Sequence, residues 1–178
     1  METDSRVILE TERLYLREMT RADYAPLCEM LQDAECMYAY EHAFSDAEAH
    51  EWLERQLGRY RSYGFGLWAV ILKESGRMIG QCGITMQDCG GVEKPEIGYI
   101  FNRSFWHNGY AIEAASACRT YAFETLGFDE ACSIIRENNL PSRRVAERNG
   151  MKATGSFVKH YYGMDMPHIV YTVRRERA

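Results

Sequence analysis

The chain has 178 residues, 46% of them hydrophobic and 26% charged, which suits one globular domain with a sizeable core and leaves little room for a second. Its net charge of −5 speaks against a general nucleic-acid binder, which needs a basic face. The longest apolar stretch, Leu67 to Leu72, is far too short to span a bilayer, and the start Met1-Glu2-Thr3-Asp4-Ser5-Arg6 lacks the basic-then-apolar form of a signal peptide. A cytoplasmic protein with no nucleic-acid or membrane partner is the expectation.

In chain order, Arg13-Leu14-Tyr15-Leu16-Arg17 alternates like a half-buried strand. Thr20-Arg21-Ala22-Asp23 reads as a capping box, and Tyr24, Leu27, Cys28 and Leu31 follow at helical spacing. Ser45-Asp46-Ala47-Glu48 opens a second helix, whose apolar stripe Ala49, Trp52, Leu53, Leu57, Tyr60 runs to Gly64. Between the two lies Glu35 to Phe44, aromatic and titratable without a clean period. It reads as a loop packed on the core or as the wall of an acceptor pocket.

Leu67 to Leu72 and Met78 to Ile84 flank a hairpin turn at Glu74-Ser75-Gly76-Arg77, and a loop is expected from Gln87 to Val92. Glu96 to Phe101 alternates again, with Ile97, Tyr99 and Phe101 on one face and Glu96, Gly98 and Ile100 on the other. The period then lengthens: Ala111, Ala114, Ala115, Cys118, Tyr121, Ala122 and Thr125 mark a long helix ended by Gly127. Ala131 to Arg136 is a short strand and Ser142 to Asn149 a short helix. Two last strands, Ala153 to Tyr161 and Ile169 to Arg174, enclose a loop with Gly163, Asp165 and Pro167. The order β-α-α-β-β-β-α-β-α-β-β predicts an α/β domain with a mixed sheet.

The six cysteines form no C-x-x-C pair and are expected to be thiols; the five histidines show no metal-ligand spacing, so no metal is expected. The segment Glu96 to Ala114 carries the most chemistry. A strand runs into a loop that opens a long helix, and the small residues Gly109 and Ala111 leave backbone N–H groups at the helix start unshielded. Those donors and the helix dipole suit a pyrophosphate, although small residues also serve close helix–sheet packing.

The run Trp106-His107-Asn108-Gly109-Tyr110-Ala111-Ile112-Glu113-Ala114 resembles the acyl-CoA pyrophosphate loop of GNAT acetyltransferases, in the RimJ/RimL form W-G-K-G-Y-A-x-E-A. His107 and Asn108 replace that form's glycine and lysine, which removes one charge partner for the phosphates and keeps the backbone donors. Downstream, Asn139-Leu140-Pro141-Ser142-Arg143-Arg144-Val145-Ala146-Glu147-Arg148-Asn149-Gly150-Met151 resembles N-x-x-S-x-R-V-x-E-x-x-G-F. Thr11-Glu12-Arg13-Leu14-Tyr15-Leu16-Arg17 resembles the T-x-R-L-x-L-R start of the same branch. The likeness covers nearly the whole chain.

It implies a single domain over residues 1–178, with a mixed central sheet of about seven strands and about four flanking helices. The sheet would splay between its fourth and fifth strands, Glu96–Phe101 and Ala131–Arg136. Acetyl-CoA as co-substrate would lay its pantetheine arm in that gap, bonded to backbone near Ile100 and Phe101, with its phosphates on His107, Asn108, Gly109, Tyr110 and Ala111. Asn139 and Ser142 would face the thioester end; Arg144 is either a phosphate contact or an exposed side chain. The acceptor is an amine, a peptide N-terminus or a small molecule, and the protein works as a monomer or homodimer.

An amine attacks only when neutral, so a base helps. Glu96, which matches the glutamate of the resembled family's A-E-I-G-Y strand, is the candidate, with Glu41, His42 and His160 as alternatives; the competing reading makes Glu96 a structural partner. Ser142 is the candidate for supporting the leaving thiolate, with Tyr161 and Tyr162 as rivals. No cysteine has a matching base, so direct transfer is expected rather than a covalent acetyl-enzyme. The alternative from another class is a non-catalytic acyl-CoA-binding regulatory module.

Overall fold

The computed structural model describes residues 5–177, and within them every side chain but that of Tyr161. Eight strands form one sheet in the order β1-β2-β3-β4-β5-β6-β8-β7. They are β1 Val7–Glu10, β2 Leu14–Arg17, β3 Leu67–Leu72, β4 Arg77–Cys89, β5 Val92–Phe101, β6 Glu130–Arg136, β7 Lys152–Tyr161 and β8 Met164–Arg174. Four α-helices accompany them: α1 Tyr24–Leu31, α2 Asp46–Tyr63, α3 Tyr110–Glu124 and α4 Leu140–Arg148. The mixed α/β architecture is as expected, with one strand more than the seven expected.

The extra strand, β1, is a four-residue edge element with no alternation of its own; its antiparallel pairing with β2 defines it. The expected loop from Gln87 to Val92 is also mostly strand. β4 and β5 pair as far as Cys89 and Val92, leaving Gly90-Gly91 as a two-residue turn with both φ angles positive. The same happens at the end of the chain. Tyr162 and Gly163, again both at positive φ, turn β7 into β8, so Asp165 and Pro167 lie in a strand and not in a loop. Pro167 is tolerated there because its carbonyl accepts from Glu137 N–H just past the end of β6, where the ladder needs no second donor.

β3 is buried along its whole length because it is covered on both faces. Leu67, Ala69 and Ile71 pack with Leu27, Met30, Leu31 and Leu53 of α1 and α2. Trp68, Val70 and Leu72 pack with Ala114, Ala115 and Cys118 of α3. The sheet therefore separates two cores, α1 and α2 on one side, α3 and α4 on the other. Both N-terminal capping boxes form as the sequence predicts. Thr20 and Asp23 exchange bonds, and Asp23 also takes a two-pronged pair from Arg17 at 2.8 Å. Ser45 and Glu48 cap α2, and Gly64 closes it at φ 79°.

β5 and β6 run parallel and share a single paired position, Glu96 with Cys132. Beyond it they diverge. The six cysteines are all free. Among the described residues no helix is long and apolar enough to cross a membrane.

Candidate active site

The divergence of β5 and β6 opens a cleft of about 920 Å³, walled by strand edges, the Trp106–Ala111 loop, α4 and one stripe of α2. Its floor follows from the β-ladder. Asn102 N–H donates to the Ile79 carbonyl, so with the register of β4 and β5 the even-numbered residues of β5 turn their main chain toward β4. Odd-numbered residues face the gap. The Ile97 carbonyl there accepts from the Ser133 hydroxyl at 2.7 Å, and the Phe101 carbonyl accepts from the Trp106 indole at 2.9 Å. Tyr99 thus presents its main-chain groups to the cleft, while Ile100 turns its own to β4.

At the other end of the cleft the chain passes through His107 at φ 64° and Gly109 at φ 78° into α3. No side chain caps this helix. The first intrahelical donor is Glu113, to the Gly109 carbonyl at 3.2 Å. The N–H groups of residues 107 to 112 have no acceptor among the described residues. A run of unpaired donors at a helix N-terminus is an anion cradle, and the left-handed conformation at Gly109 explains why glycine stands there. His107, Gly109, Tyr110 and Ala111 line the cleft; Asn108 does not. Its amide instead donates to the Phe105 and Trp106 carbonyls at 3.2 and 2.9 Å, which sets the loop's shape.

The loop is held from outside by two residues whose role the sequence left unassigned. Glu113 accepts from Thr11 Oγ1 at 2.6 Å, from Arg13 N–H at 2.9 Å and from Arg13 Nε at 2.7 Å. Arg13 also donates to the Asn108 carbonyl at 2.9 Å and lies 4.4 Å over the Tyr110 ring. Burial alone would push the Glu113 carboxyl up, but these donors hold it below the usual carboxylate range. The matched residues at the chain's start and on α3 are therefore one clamp, a contact no short sequence window contains.

On α4, Asn139 caps the helix by accepting from Ser142 N–H at 3.3 Å, and the same oxygen takes the Tyr38 hydroxyl at 2.6 Å. Tyr99 reaches across the gap to the Ser142 carbonyl at 2.8 Å. The Ser142 hydroxyl has no partner among the described residues and lines the cleft, as does the exposed Arg144.

Glu96 lies where the strands part. Its carboxylate accepts from Ile134 N–H at 2.5 Å, a side-chain bond in place of the ladder bond that β6 no longer makes. Burial pushes its pKa up to about 7 against the opposing pull of that N–H, Lys159 and Arg59. A carboxyl titrating near neutrality inside a cleft is suited to accept a proton, and here it also joins the two strands.

The alternative bases are engaged elsewhere, and none lines the cleft. Glu41 pairs with Arg136. His42 meets the Glu48 carboxylate at 3.0 Å, and the exposed His160 pairs with Asp165. Tyr162 is on the cleft wall, its ring edge-on to His42 at 4.5 Å; the Tyr161 side chain lies outside the described residues. His168, a cleft residue the sequence did not single out, is buried with Nδ1 on the Met166 carbonyl at 2.7 Å; burial pushes its pKa down. Among the described residues no group of three or more potential metal ligands comes together.

The family model described as "Acetyltransferase (GNAT) domain" matches residues 13–152. The chain is 37% identical to protein YkkB of Bacillus subtilis, covering 83% of this chain and 87% of that one. It is 30% identical to the N-acetyltransferase YnaD of the same organism, covering 85% and 86%. Its fold superposes on that of RimL, the ribosomal L7/L12 alpha-N-protein acetyltransferase, in complex with coenzyme A, with a TM-score of 0.77 over 95% of this chain and 98% of that one. At 16% identity that is a likeness of fold. With its splayed strands, bare helix N-terminus and matching domain model, the chain belongs to the GNAT family and is an acetyl-CoA-dependent N-acetyltransferase.

Proposed function

We propose that the protein moves the acetyl group of acetyl-CoA directly to a primary amine, with Glu96 as the base. The observation that carries this is the placement of Glu96 in the gap between β5 and β6, on the sheet face of α2, in the same cleft as the unpaired donors of residues 107 to 112. Acetyl-CoA would enter from the α3 and α4 side, its phosphates on those donors and its pantetheine along the Tyr99 and Phe101 edge. The amine would enter from the α2 side.

As the nitrogen lone pair forms the C–N bond, the carbonyl electrons move onto oxygen, where an inward-facing N–H of β5 stabilises them. Glu96 takes a proton from nitrogen. Collapse of the oxyanion breaks the C–S bond and the thiolate departs, its charge eased by the Ser142 hydroxyl. A thiolate leaves readily and needs only modest assistance. Asn139 supports this step indirectly, by capping the helix that carries Ser142. Arg144 lines the cleft and would contact the CoA phosphates.

The test is acetyl-CoA consumption, followed by thiol release, over a panel of amines and peptide N-termini, together with intact-mass analysis of enzyme incubated with acetyl-CoA alone. Turnover with at least one primary amine and no 42 Da adduct on the enzyme is expected, the added mass being roughly that of an acetyl group replacing hydrogen. A stable acetyl-enzyme that an amine discharges would replace direct transfer with a covalent route.

A further inference from the structure

The acceptor side of the cleft carries cations that its own carboxylates do not contact. α2 presents Glu48, Glu51, Arg55 and Arg59 to the cleft along one helical stripe, and β7 adds Lys159. Glu48 is committed to His42 and to the Ser45 N–H. Glu51 faces Arg55 at 3.4 Å. Arg59 is different. It is half-buried, and its hydrogen bond goes to the neutral amide oxygen of Gln56 at 3.2 Å, an oxygen that also accepts from Leu67 N–H.

Among the described residues no carboxylate oxygen lies within salt-bridge distance of Arg59 or Lys159. Both act electrostatically on Glu96, but the bond Glu96 makes is to Ile134 N–H. Removing a guanidinium from water without an anion is unfavourable, and burial, with Arg55 nearby, lowers the proton affinity of Arg59. An anion delivered by the acceptor would offset that cost. Planar two-point recognition of a carboxylate is what a guanidinium does best.

We propose that the acceptor is an amino-acid-like amine whose carboxylate binds Arg59 and Lys159 while its nitrogen meets Glu96. Its side chain packs on an aromatic wall in which Trp52 stands edge-on to Tyr40 at 6.0 Å and to Phe44 at 5.8 Å. The assignment rests on the acetyl-transfer reading above and narrows it: polyamines and other purely cationic amines are disfavoured.

The experiment compares kcat/KM for matched pairs, the free acids of phenylalanine, tyrosine, tryptophan, leucine and methionine against their amides, in wild type, Arg59→Gln, Arg59→Lys and Lys159→Gln. Binding of the same probes to CoA-saturated protein is measured by calorimetry. At least one acid is expected to exceed its amide tenfold, although the amide's less basic nitrogen works against that preference. Arg59→Gln should cut the ratio about tenfold, equivalent to about 1.4 kcal/mol, Lys159→Gln should cut it less, and Arg59→Lys should retain part of it. The ratio cancels any effect of these substitutions on Glu96, which both members of a pair share.

Amides equal to or better than acids would overturn the proposal, as would an unchanged ratio in a folded Arg59→Gln protein. So would a panel that neither binds nor reacts. Acetyl-CoA affinity, measured separately, distinguishes these failures from failure of the transferase reading itself.

Discussion

The two ends of the cleft are built from different materials. The end that would hold the CoA phosphates is made of main chain: six consecutive N–H groups, two residues at positive φ and no capping side chain. The end proposed for the acceptor is made of side chains, namely the aromatic group of Tyr40, Phe44 and Trp52 and the charges of Arg59, Glu96 and Lys159. Backbone donors tolerate sequence change so long as the turn survives, so the proposed phosphate site would accommodate His107 and Asn108 where the resembled motif has a glycine and a lysine. Side-chain surfaces change with every substitution, so this is where acceptors would diverge within one fold.

That contrast predicts which substitutions damage chemistry and which damage binding. The largest effect is expected from Glu96→Gln, which keeps the shape and an acceptor for Ile134 N–H but cannot take a proton. The variant's kcat should fall about 10²-fold at pH 7 with acetyl-CoA affinity unchanged, and the deficit should narrow toward pH 9 as more amine is already neutral. Wild-type activity should rise through an apparent pKa near 7, where Glu96 deprotonates. The same group marks stability. Because its folded pKa lies above its unfolded value, the native state holds a proton that the unfolded chain has released between those two values. Wild-type stability should therefore decline relative to Glu96→Gln as pH rises from about 4.5 to about 7, measured by chemical unfolding. A kcat near wild type from pH 6 to 9 would reduce Glu96 to a tie between strands.

A smaller effect is expected at the main-chain end. Gly109→Asp puts a charge where the phosphates are proposed to lie, and a Cβ 3.5 Å from Arg13 at a φ of 78°. Acetyl-CoA affinity measured by calorimetry should fall at least tenfold, about 1.4 kcal/mol. Aspartate is among the residues that tolerate this backbone region, so the variant should fold. Unchanged affinity would move the phosphates elsewhere.

The smallest effect belongs to Asn139→Ala, which removes the α4 cap and the bond to Tyr38. Loss of about 1 kcal/mol and a melting temperature lower by about 2–4 °C are expected, with acetyl-CoA affinity within a few-fold of wild type. A tenfold loss of affinity without loss of stability would make Asn139 a direct ligand contact.

Legibility followed the same division. Capping boxes, the αL glycine after α2 and the glycine-opened start of α3 are local devices, readable because a few adjacent residues determine each. Strand ends were less readable. Gln87 to Val92 and Tyr162 to His168 contain the residues of loops, yet two-residue turns and cross-strand pairing draw most of both segments into strands. Ser142 and Arg144 were identified through matched motifs and do line the cleft. Asn108 belongs to the same motif but turns its amide back on the loop, which spacing could not show.

The sequence alone determined four helices and seven of the eight strands, where a phosphate could sit and that Glu96 shares a strand face with Gly98 and Ile100, because periodicity and helix termini are local properties of the chain. Only the tertiary structure brought Thr11 and Arg13 onto Glu113, turned Glu41 to Arg136, and set Arg59 and Lys159 in one cleft with Glu96, with no carboxylate oxygen within salt-bridge distance of either among the described residues. Those facts depend on segments far apart in the chain meeting across a sheet. No local pattern encodes such meetings, and the parting of β5 and β6 then opens the cleft in which Glu96 lies.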